Sequence, residues 1–237
     1  MTGWLRLPAL ALLIARMLLT RQRLVDRGQW LSEGSKVCCR DILDLRVEFS
    51  GKLPGRGLLV ANHLSYIDII ALSSILPCRF IAKSEVANWP IFGLMAKRSR
   101  TLFIDRELRR DVSRMNDLVR IALQEPVPLV LFPEGTSSDG SSVLPFRPSL
   151  LEPALKSGSP ITPVGISYPD KASEVVPWYG DMTLAPHLFN LLKHRNLGVH
   201  FFFGESRVID TDRKTAARQL HDEVVELRSG KTIPARV

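Results

Sequence analysis

Short apolar runs recur along the chain, and each run ends in polar residues, glycine or proline. The run 57–61 (GLLVA) stops at Asn62, and this pattern predicts a buried strand. Further strands are predicted at 79–82, 101–104, 128–132, 161–168 and 199–203. In 45–49, by contrast, apolar and charged residues alternate, and this period of two predicts a half-buried strand.

Segments with apolar residues at helical spacing separate these strands. We predict helices over about 65–76, 111–124, 149–156, 184–194 and 212–227. Because strands and helices alternate through most of the chain, the predicted fold class is α/β, with a mostly parallel or mixed central sheet flanked by helices. Ligands bind at the carboxyl ends of the strands in such sheets. His63, Arg106 and Glu134 each follow a predicted strand, so we expect them to share that edge.

A histidine and an aspartate flank the turn between the strand 57–61 and the next helix. Ser65 and Asp68 have the spacing of a capping box, which places Asp68 in the first helical turn and close to His63. A carboxylate on one imidazole nitrogen fixes the tautomer, and the other nitrogen is then free to act as a general base. In the alternative interpretation, Asp68 only caps the helix and His63 is a polar loop residue. Metal binding is less favoured, because no third ligand occurs at a recognisable spacing.

The first 40 residues contain a short apolar stretch with arginines on both sides. Residues 7–19 are too few to span a bilayer, which takes roughly 20 apolar residues, and they include Pro8 and Arg16. The positive charge lies mainly after this stretch and no A-x-A site follows, which disfavours a signal peptide. We therefore predict a helical segment over 1–40 that lies in, or dips into, an anionic membrane surface. The alternative is a hydrophobic helix packed on the domain.

Composition narrows the class of partner. The chain has 237 residues, 45% of them hydrophobic, which is enough for one large domain or a domain with an appendage. A net charge of +8 favours an anionic partner, namely nucleic acid, an acidic membrane or a phosphorylated substrate. The three cysteines show neither a disulfide framework nor a zinc spacing, which favours a reducing compartment.

Three further features lie beside predicted strands. Arg106 directly follows the strand 101–104, within a basic run. The loop 133–140 after the strand 128–132 is polar and contains glycine, so it can offer backbone N–H groups and hydroxyls to an anion or oxyanion, although a plain turn has the same composition. Pro163 is expected near a strand end or sheet edge, where it shapes the rim of the site, because proline is tolerated mainly there.

Four segments together resemble the motifs of the glycerophospholipid acyltransferases, in particular the lysophosphatidic acid acyltransferase group. The motifs occur in the family's order at 62–68 (NHLSYID), 103–106 (FIDR), 132–136 (FPEGT) and 161–164 (ITPV). The first is similar to the family's N-H-x-x-x-x-D motif. The joint occurrence of all four is much more specific than any one of them.

The resemblance implies a glycerolipid-acyltransferase-like domain over 41–230, after the N-terminal segment. It implies transfer of a fatty acyl group from acyl-CoA or acyl carrier protein to a lysolipid hydroxyl, with no cofactor, metal or nucleic acid. His63 would be the general base and Asp68 its partner. The remaining residues carried over would bind substrate: Arg106, Phe132, Glu134, Gly135, Thr136 and Pro163. The family's N-terminal helical anchor implies attachment to membrane lipids, which we expect at the cytoplasmic face.

Two departures from the family's pattern bear on the acceptor. The third motif often continues with arginine, whereas Ser137 follows here, and the F-K-x-G element is replaced by 146–149 (FRPS). Arg106 favours lysophosphatidic acid as acceptor, and Ser137 favours a less charged lysolipid such as lyso-ornithine lipid, which we rank second. Two other classes are disfavoured. A basic membrane-surface module does not explain four ordered motifs, and a serine hydrolase lacks the G-x-S-x-G elbow.

Overall fold

A seven-stranded sheet forms the centre of the protein. The computed structural model describes residues 3–20, 28–104 and 112–230. The strands are β1 (Leu45–Ser50), β2 (Leu58–Ala61), β3 (Arg79–Lys83), β4 (Leu102–Ile104), β5 (Leu129–Leu131), β6 (Ile161–Ser167) and β7 (Leu197–Phe203). Their order across the sheet is β1-β7-β6-β2-β5-β3-β4. The five strands from β6 to β4 are parallel, and β7 pairs antiparallel with β6.

Helices cover both faces of this sheet. They are α1 (Gly3–Leu19), α2 (Gln29–Val37), α3 (Ile67–Ile75), α4 (Phe92–Arg98), α5 (Val112–Leu123), α6 (Glu152–Ser157), α7 (Ala172–Val175), α8 (Leu184–Leu191) and α9 (Arg213–Arg228). A π-helical segment (Cys38–Leu43) follows α2, and two 3₁₀ turns lie at Ser84–Asn88 and Pro148–Leu150. The predicted α/β class, with a mixed sheet flanked by helices, is confirmed.

The burial of β2 shows why its sequence is continuously apolar. Leu59 and Ala61 point into one hydrophobic cluster, and Leu58 and Val60 point into the other. Successive side chains of a strand face opposite sides of the sheet, so a strand covered on both faces needs apolar residues at every position. All four residues of β2 are buried.

The sheet brings the ends of three parallel strands to one edge. His63 lies two residues after β2, Glu134 lies three residues after β5, and Tyr168 directly follows β6. The expectation that groups after separate strands meet at one edge therefore holds for His63 and Glu134. Arg106, the third of the predicted set, lies outside the described residues.

The N-terminal helix α1 packs on the domain with one face. Leu7, Leu10 and Leu13 are partly buried against the core, and the guanidinium of Arg6 is buried, donating to the carbonyls of Leu192 and His194 at 3.3 and 2.7 Å. The opposite face exposes apolar side chains, among them Leu5, Leu12 and Leu19 at 55%, 72% and 85%. Within the described ranges, no helix is long and apolar enough to cross a bilayer.

Pro163 lies near the start of its strand, as expected, but that strand is in the interior of the sheet and not at its edge. Pro163 is buried inside β6, an interior strand, and it stands opposite Val60 of β2. Its carbonyl accepts a hydrogen bond from the Gly204 N–H at 2.9 Å, just where the neighbouring chain leaves β7. A proline lacks the N–H that a continuing ladder would need. Pro163 is tolerated at this position because the neighbouring strand β7 ends there. β6 itself continues to Ser167.

Candidate active site

The imidazole of His63 and the carboxylate of Asp68 are in direct contact. His63 Nδ1 lies 2.8 Å from Asp68 Oδ2. The Asp68 side chain is fully buried, whereas that of His63 is 18% exposed. An ionised carboxylate accepts only, so Nδ1 carries the proton and donates it to Asp68. Nε2 is then the unprotonated nitrogen, which a general base requires, and no described residue forms a hydrogen bond with it.

The turn between β2 and α3 folds as a capping box around this pair. Ser65 Oγ accepts from the Ile67 N–H at 3.3 Å, and Asp68 Oδ2 accepts from the Ser65 N–H at 3.0 Å. The Leu64 N–H donates to the same oxygen at 2.7 Å. Asp68 therefore caps the helix and also holds His63, so the two interpretations of this residue are compatible. Regular helix begins at Ile67, two residues later than the sequence pattern suggests.

Phe132 lies against the ring of His63. The two rings stack with centroids 4.1 Å apart and an interplanar angle of 13°, and Phe80 stacks in turn on Phe132. Phe132 directly follows β5, so the end of this apolar strand places a flat aromatic face against His63. The plane of the imidazole is thus fixed by Asp68 at one edge and by Phe132 across one face. The family resemblance implied that Phe132 binds substrate. The contact observed in the structure is with His63.

Glu134 connects the loop after β5 to the loop after β2 through its carboxylate. One oxygen accepts from the His63 backbone N–H at 2.6 Å, and the other accepts from the Leu144 N–H at 2.8 Å. The residue is 3% exposed. Burial raises the pKa of Glu134 to about 7, although the two backbone donors and His63 act in the opposite direction. Its contacts hold the backbone of His63, and a contact of Glu134 with substrate stays a prediction.

The other residues carried over from the motifs have different surroundings. Gly135 is buried, adopts φ 77°, and donates its N–H to the Phe132 carbonyl at 3.1 Å. That N–H is therefore already engaged, and the positive φ explains a glycine here. Thr136 is exposed at the same loop. Pro163 lies inside the sheet, and Arg106 lies outside the described residues, so their predicted substrate contacts stay predictions.

Three residues of the site were not identified from the sequence as participants. Tyr168 donates its hydroxyl to Asp68 Oδ1 at 2.6 Å. Asn62 binds the main chain of β6 through both ends of its amide, accepting from the Ile166 N–H at 2.7 Å and donating to the Ile166 carbonyl at 3.0 Å. Trp178 donates its backbone N–H to the Leu64 carbonyl at 2.8 Å. Two of them had a signal in the sequence, because Tyr168 is a tyrosine at a strand's carboxyl end and Asn62 is an amide inside the first motif.

The described residues contain no group of three or more His, Cys, Asp or Glu side chains arranged to hold a metal ion. The site therefore consists of one buried, fully bonded carboxylate, one partly exposed imidazole and a second buried carboxyl group at the carboxyl edge of the sheet. This arrangement can accept a proton from a hydroxyl at Nε2 and stabilise the resulting imidazolium.

A known protein family matches the part of the chain that contains this site. The sequence profile described as Acyltransferase matches residues 44–167, which include His63, Asp68 and Glu134. The chain is also 33% identical over 248 residues to a lyso-ornithine lipid O-acyltransferase of Rhizobium meliloti, covering 93% of this chain and 83% of that protein. The chain belongs to the Acyltransferase family. It is an acyltransferase of lysolipids, as the resemblance predicted.

Other members of the Acyltransferase family differ in their named acceptors. A lyso-ornithine lipid O-acyltransferase of Pseudomonas aeruginosa is 34% identical, over 91% of this chain and 82% of its own length. A 1-acyl-sn-glycerol-3-phosphate acyltransferase of Neisseria meningitidis is 34% identical, over 63% of this chain and 60% of its own length. The crystal structure of the acyltransferase PlsC from Thermotoga maritima has a TM-score of 0.60 at 24% identity, covering 93% of this chain and 86% of that one, and it supports the fold.

Proposed function

We propose that the protein transfers an acyl group directly from a thioester to a lysolipid hydroxyl, with His63 as general base. Nε2 takes the hydroxyl proton as the oxygen attacks the thioester carbonyl carbon. The tetrahedral intermediate then collapses, the C–S bond breaks, and the departing thiolate takes the proton from the imidazolium. Asp68 stabilises the imidazolium through its 2.8 Å contact with Nδ1, and this geometry is the observation that carries the proposal.

We propose lyso-ornithine lipid as the acceptor. The relatives named for this activity match 93% and 91% of the chain, whereas the Neisseria relative named for 1-acylglycerol-3-phosphate matches 63%. The residue after the third motif also favours a less anionic head group. Ser137 donates its hydroxyl to the Trp178 carbonyl, so it adds no positive charge and its proton is already used. The sequence alone ranked the phosphate acceptor first, and these observations reverse that order.

Lysophosphatidic acid is the second candidate. The net charge of +8 and the relatives named 1-acyl-sn-glycerol-3-phosphate acyltransferase both support a phosphate-bearing acceptor. Arginine matches phosphate with a bidentate, charge-assisted bond, and Arg106 in the second motif is the residue proposed for that contact.

The deciding experiment is a competition between acceptors. Purified protein receives one labelled acyl thioester with equal lyso-ornithine lipid and lysophosphatidic acid, and the labelled diacyl products are separated. Both acyl-CoA and acyl carrier protein thioesters are supplied in parallel, because either can be the donor. We expect the ornithine product to predominate, and a predominant phosphatidic acid product would exclude our ranking.

Loss of the base should stop the reaction with either acceptor. His63→Ala should lower turnover by about 10²–10⁴ while the protein stays folded, since positioned general-base catalysis typically contributes that factor. Near-normal transfer by this variant would contradict the mechanism. Release of free fatty acid without diacyl lipid would indicate a hydrolase, and no reaction of wild type with any lysolipid would indicate a binding module.

We further propose that α1 attaches the enzyme to a membrane surface. The outward face of α1 exposes leucines while its inward face is held by the domain, so the helix can enter the interface without leaving the core. Arg98 of α4 donates to the Thr20 carbonyl at 2.7 Å, and Ile91 and Leu94, beside and within α4, are also exposed. The same surface therefore extends beyond the N-terminal segment. We place it at the cytoplasmic leaflet, where anionic lipid attracts basic residues.

A further inference from the structure

We propose that Trp178, Tyr66 and His187 form a brace that fixes the general-base loop (62–68) against the Glu134 loop (132–138). In this proposal Tyr66 and His187 are positioning residues for acyl transfer. They act through the ring contact of Tyr66 with Trp178 and do not touch the reacting atoms. The proposal rests on the acyl transfer described above and adds residues outside the four motifs.

The main chain of Trp178 joins the two loops. Its N–H donates to the Leu64 carbonyl at 2.8 Å, and its carbonyl accepts from the Ser137 hydroxyl. The N–H of Leu64 in turn donates to Asp68 at 2.7 Å. Leu64 is therefore held at both its N–H and its carbonyl, and it is the residue directly after His63. A shift of the Trp178 main chain would rotate the Leu64 backbone and move His63 relative to Asp68.

His187 supports the general-base loop at Tyr66. Its Nδ1 lies 3.0 Å from the hydroxyl of Tyr66, which belongs to that loop. Burial lowers the pKa of His187, and the carbonyls of Pro177 and Val175 oppose this with a smaller effect. The ring is therefore neutral at pH 7, and Nδ1 accepts the Tyr66 proton. Nε2 is buried and forms no hydrogen bond with any described residue.

These contacts close a ring of residues. The path runs from Leu64 to Tyr66 along the chain, from the Tyr66 ring to the indole of Trp178, and from the Trp178 N–H back to the Leu64 carbonyl. His187 holds the Tyr66 hydroxyl from outside this path. A closed ring of contacts restrains a loop more strongly than the same contacts in a line, because each restrains the ends of the others. His63 lies one residue outside this ring.

Ring packing holds Trp178 in the same place. Its indole meets Tyr66 edge-on at 5.7 Å and 76°, and it meets Trp89 at 5.7 Å and 86°. The indole Nε1 is buried and has no hydrogen-bond partner among the described residues. An unpaired buried donor opposes folding. The position of Trp178 is therefore set by its main-chain bonds and its ring contacts, as a positioning role requires.

Loss of the brace should weaken turnover without abolishing it. Two direct bonds between the same loops would remain, from the Ser138 N–H to the His63 carbonyl at 3.0 Å and from the His63 N–H to Glu134 at 2.6 Å. Misplacement of a catalytic group by about 1 Å can cost 10²-fold in rate, so a partial loosening should cost about 10-fold in kcat. KM should change by less than about twofold, because substrate contacts are retained.

Tyr66→Phe is the decisive variant, since it removes one hydroxyl and keeps the ring. Tyr179→Phe is the matched control, because Tyr179 is exposed and adjoins the same segment. His187→Leu should lower kcat like Tyr66→Phe, and His187→Gln should recover most of it, since its amide oxygen can accept from Tyr66. An unchanged kcat in folded Tyr66→Phe would overturn the proposal, as would a His187→Gln variant no better than His187→Leu.

A second measurement separates this proposal from the choice of acceptor. The kinetic measurements use whichever lysolipid the wild-type protein converts best. An unexpected acceptor would therefore contradict the acceptor proposal and leave the brace proposal testable. The Nδ1 proton of His63 is also observed by NMR without substrate. Its exchange with water should be faster in Tyr66→Phe than in wild type or Tyr179→Phe, because the Asp68 contact is less well held. Equal exchange rates in all three proteins would overturn the brace even if wild type converted no lysolipid.

Discussion

The hydroxyl of Tyr168 donates to Asp68 Oδ1 at 2.6 Å, across 100 residues of sequence. Oδ2 of the same carboxylate serves His63 and two backbone N–H groups. The tyrosine thus occupies the oxygen that the imidazole does not use, and it fixes the rotation of the carboxylate. Both residues are buried, so the bond is shielded from water.

Tyr168→Phe should therefore weaken both stability and catalysis. Hydrogen bonds to charged groups contribute about 1.5–3 kcal/mol, so we expect the free energy of unfolding to fall by about that amount. We expect kcat to fall by about 10-fold, because the carboxylate gains freedom to rotate away from His63. Urea unfolding and steady-state kinetics measure the two effects. Loss of stability with unchanged kcat would mean that the tyrosine does not orient the catalytic pair.

The stacking of Phe132 on His63 makes a separate prediction. Phe132→Leu keeps an apolar side chain after β5 but removes the flat face at 4.1 Å. Aromatic pairs contribute about 0.5–1.5 kcal/mol beyond their burial, so kcat should fall by roughly 2- to 10-fold. Phe80→Leu is the matched control, since Phe80 contacts Phe132 at 6.3 Å. Equal kinetic losses in the two variants would show that packing, and not ring orientation, is responsible.

Glu134 should make stability depend on pH. Its pKa is raised from 4.5 to about 7 in the folded protein, so between these values the folded state binds more protons than the unfolded state. Stability from this group is therefore present below about pH 4.5 and is lost as pH rises to about 7, by at most about 3 kcal/mol. Urea unfolding of wild type and Glu134→Gln across this window measures the difference. A wild-type advantage that grew with pH would contradict the raised pKa.

The sequence predicted the parts of this site that lie close together along the chain. The turn from β2 to α3 is local, so an S-x-x-D pattern was enough to bring Asp68 next to His63. The sequence also predicted that β2 and β5 end at the same edge of the sheet, because parallel strands have their carboxyl ends on one side. Tyr168 and Trp178 could not be found in this way, since their partners are about 100 residues away and no spacing rule relates them.

Pro163 shows a limit of reasoning from one strand alone. Proline was expected at the start of its strand or at a sheet edge, but the constraint concerns the neighbour on the side of the missing N–H. That neighbour, β7, ends at Phe203, and β6 continues past Pro163 to Ser167. The length of a partner strand is a property of the assembled sheet. One strand's sequence does not contain it.

The outward face of α1 should control membrane binding. Leu12→Glu with Leu19→Glu places two charges on that face, where burying each leucine in an apolar environment contributes about 1.5–3 kcal/mol. We expect binding to anionic vesicles to fall by more than about 10-fold with little change in thermal stability, because both side chains are exposed. The control adds two charges elsewhere, as Val208→Glu with Val225→Glu. Equal loss of binding in both proteins would assign the effect to net charge.

Ser137 should decide the preference between acceptors. Ser137→Arg adds a guanidinium to the loop after the third motif, where it can form a charge-assisted bond with a phosphate head group. Such a bond contributes about 1.5–3 kcal/mol, so the ratio of kcat/KM for lysophosphatidic acid to that for lyso-ornithine lipid should rise by about 10- to 100-fold.

The same substitution also removes the hydroxyl that binds the Trp178 carbonyl, so a control is needed for that loss. Ser137→Ala loses the bond without adding a charge. It should lower kcat for both acceptors alike and leave their ratio unchanged, because the brace acts on the general base that both acceptors use. A raised ratio in Ser137→Arg with an unchanged one in Ser137→Ala would assign specificity to charge at this position. An unchanged ratio in both would place head-group recognition elsewhere, with Arg106 as the next residue to substitute.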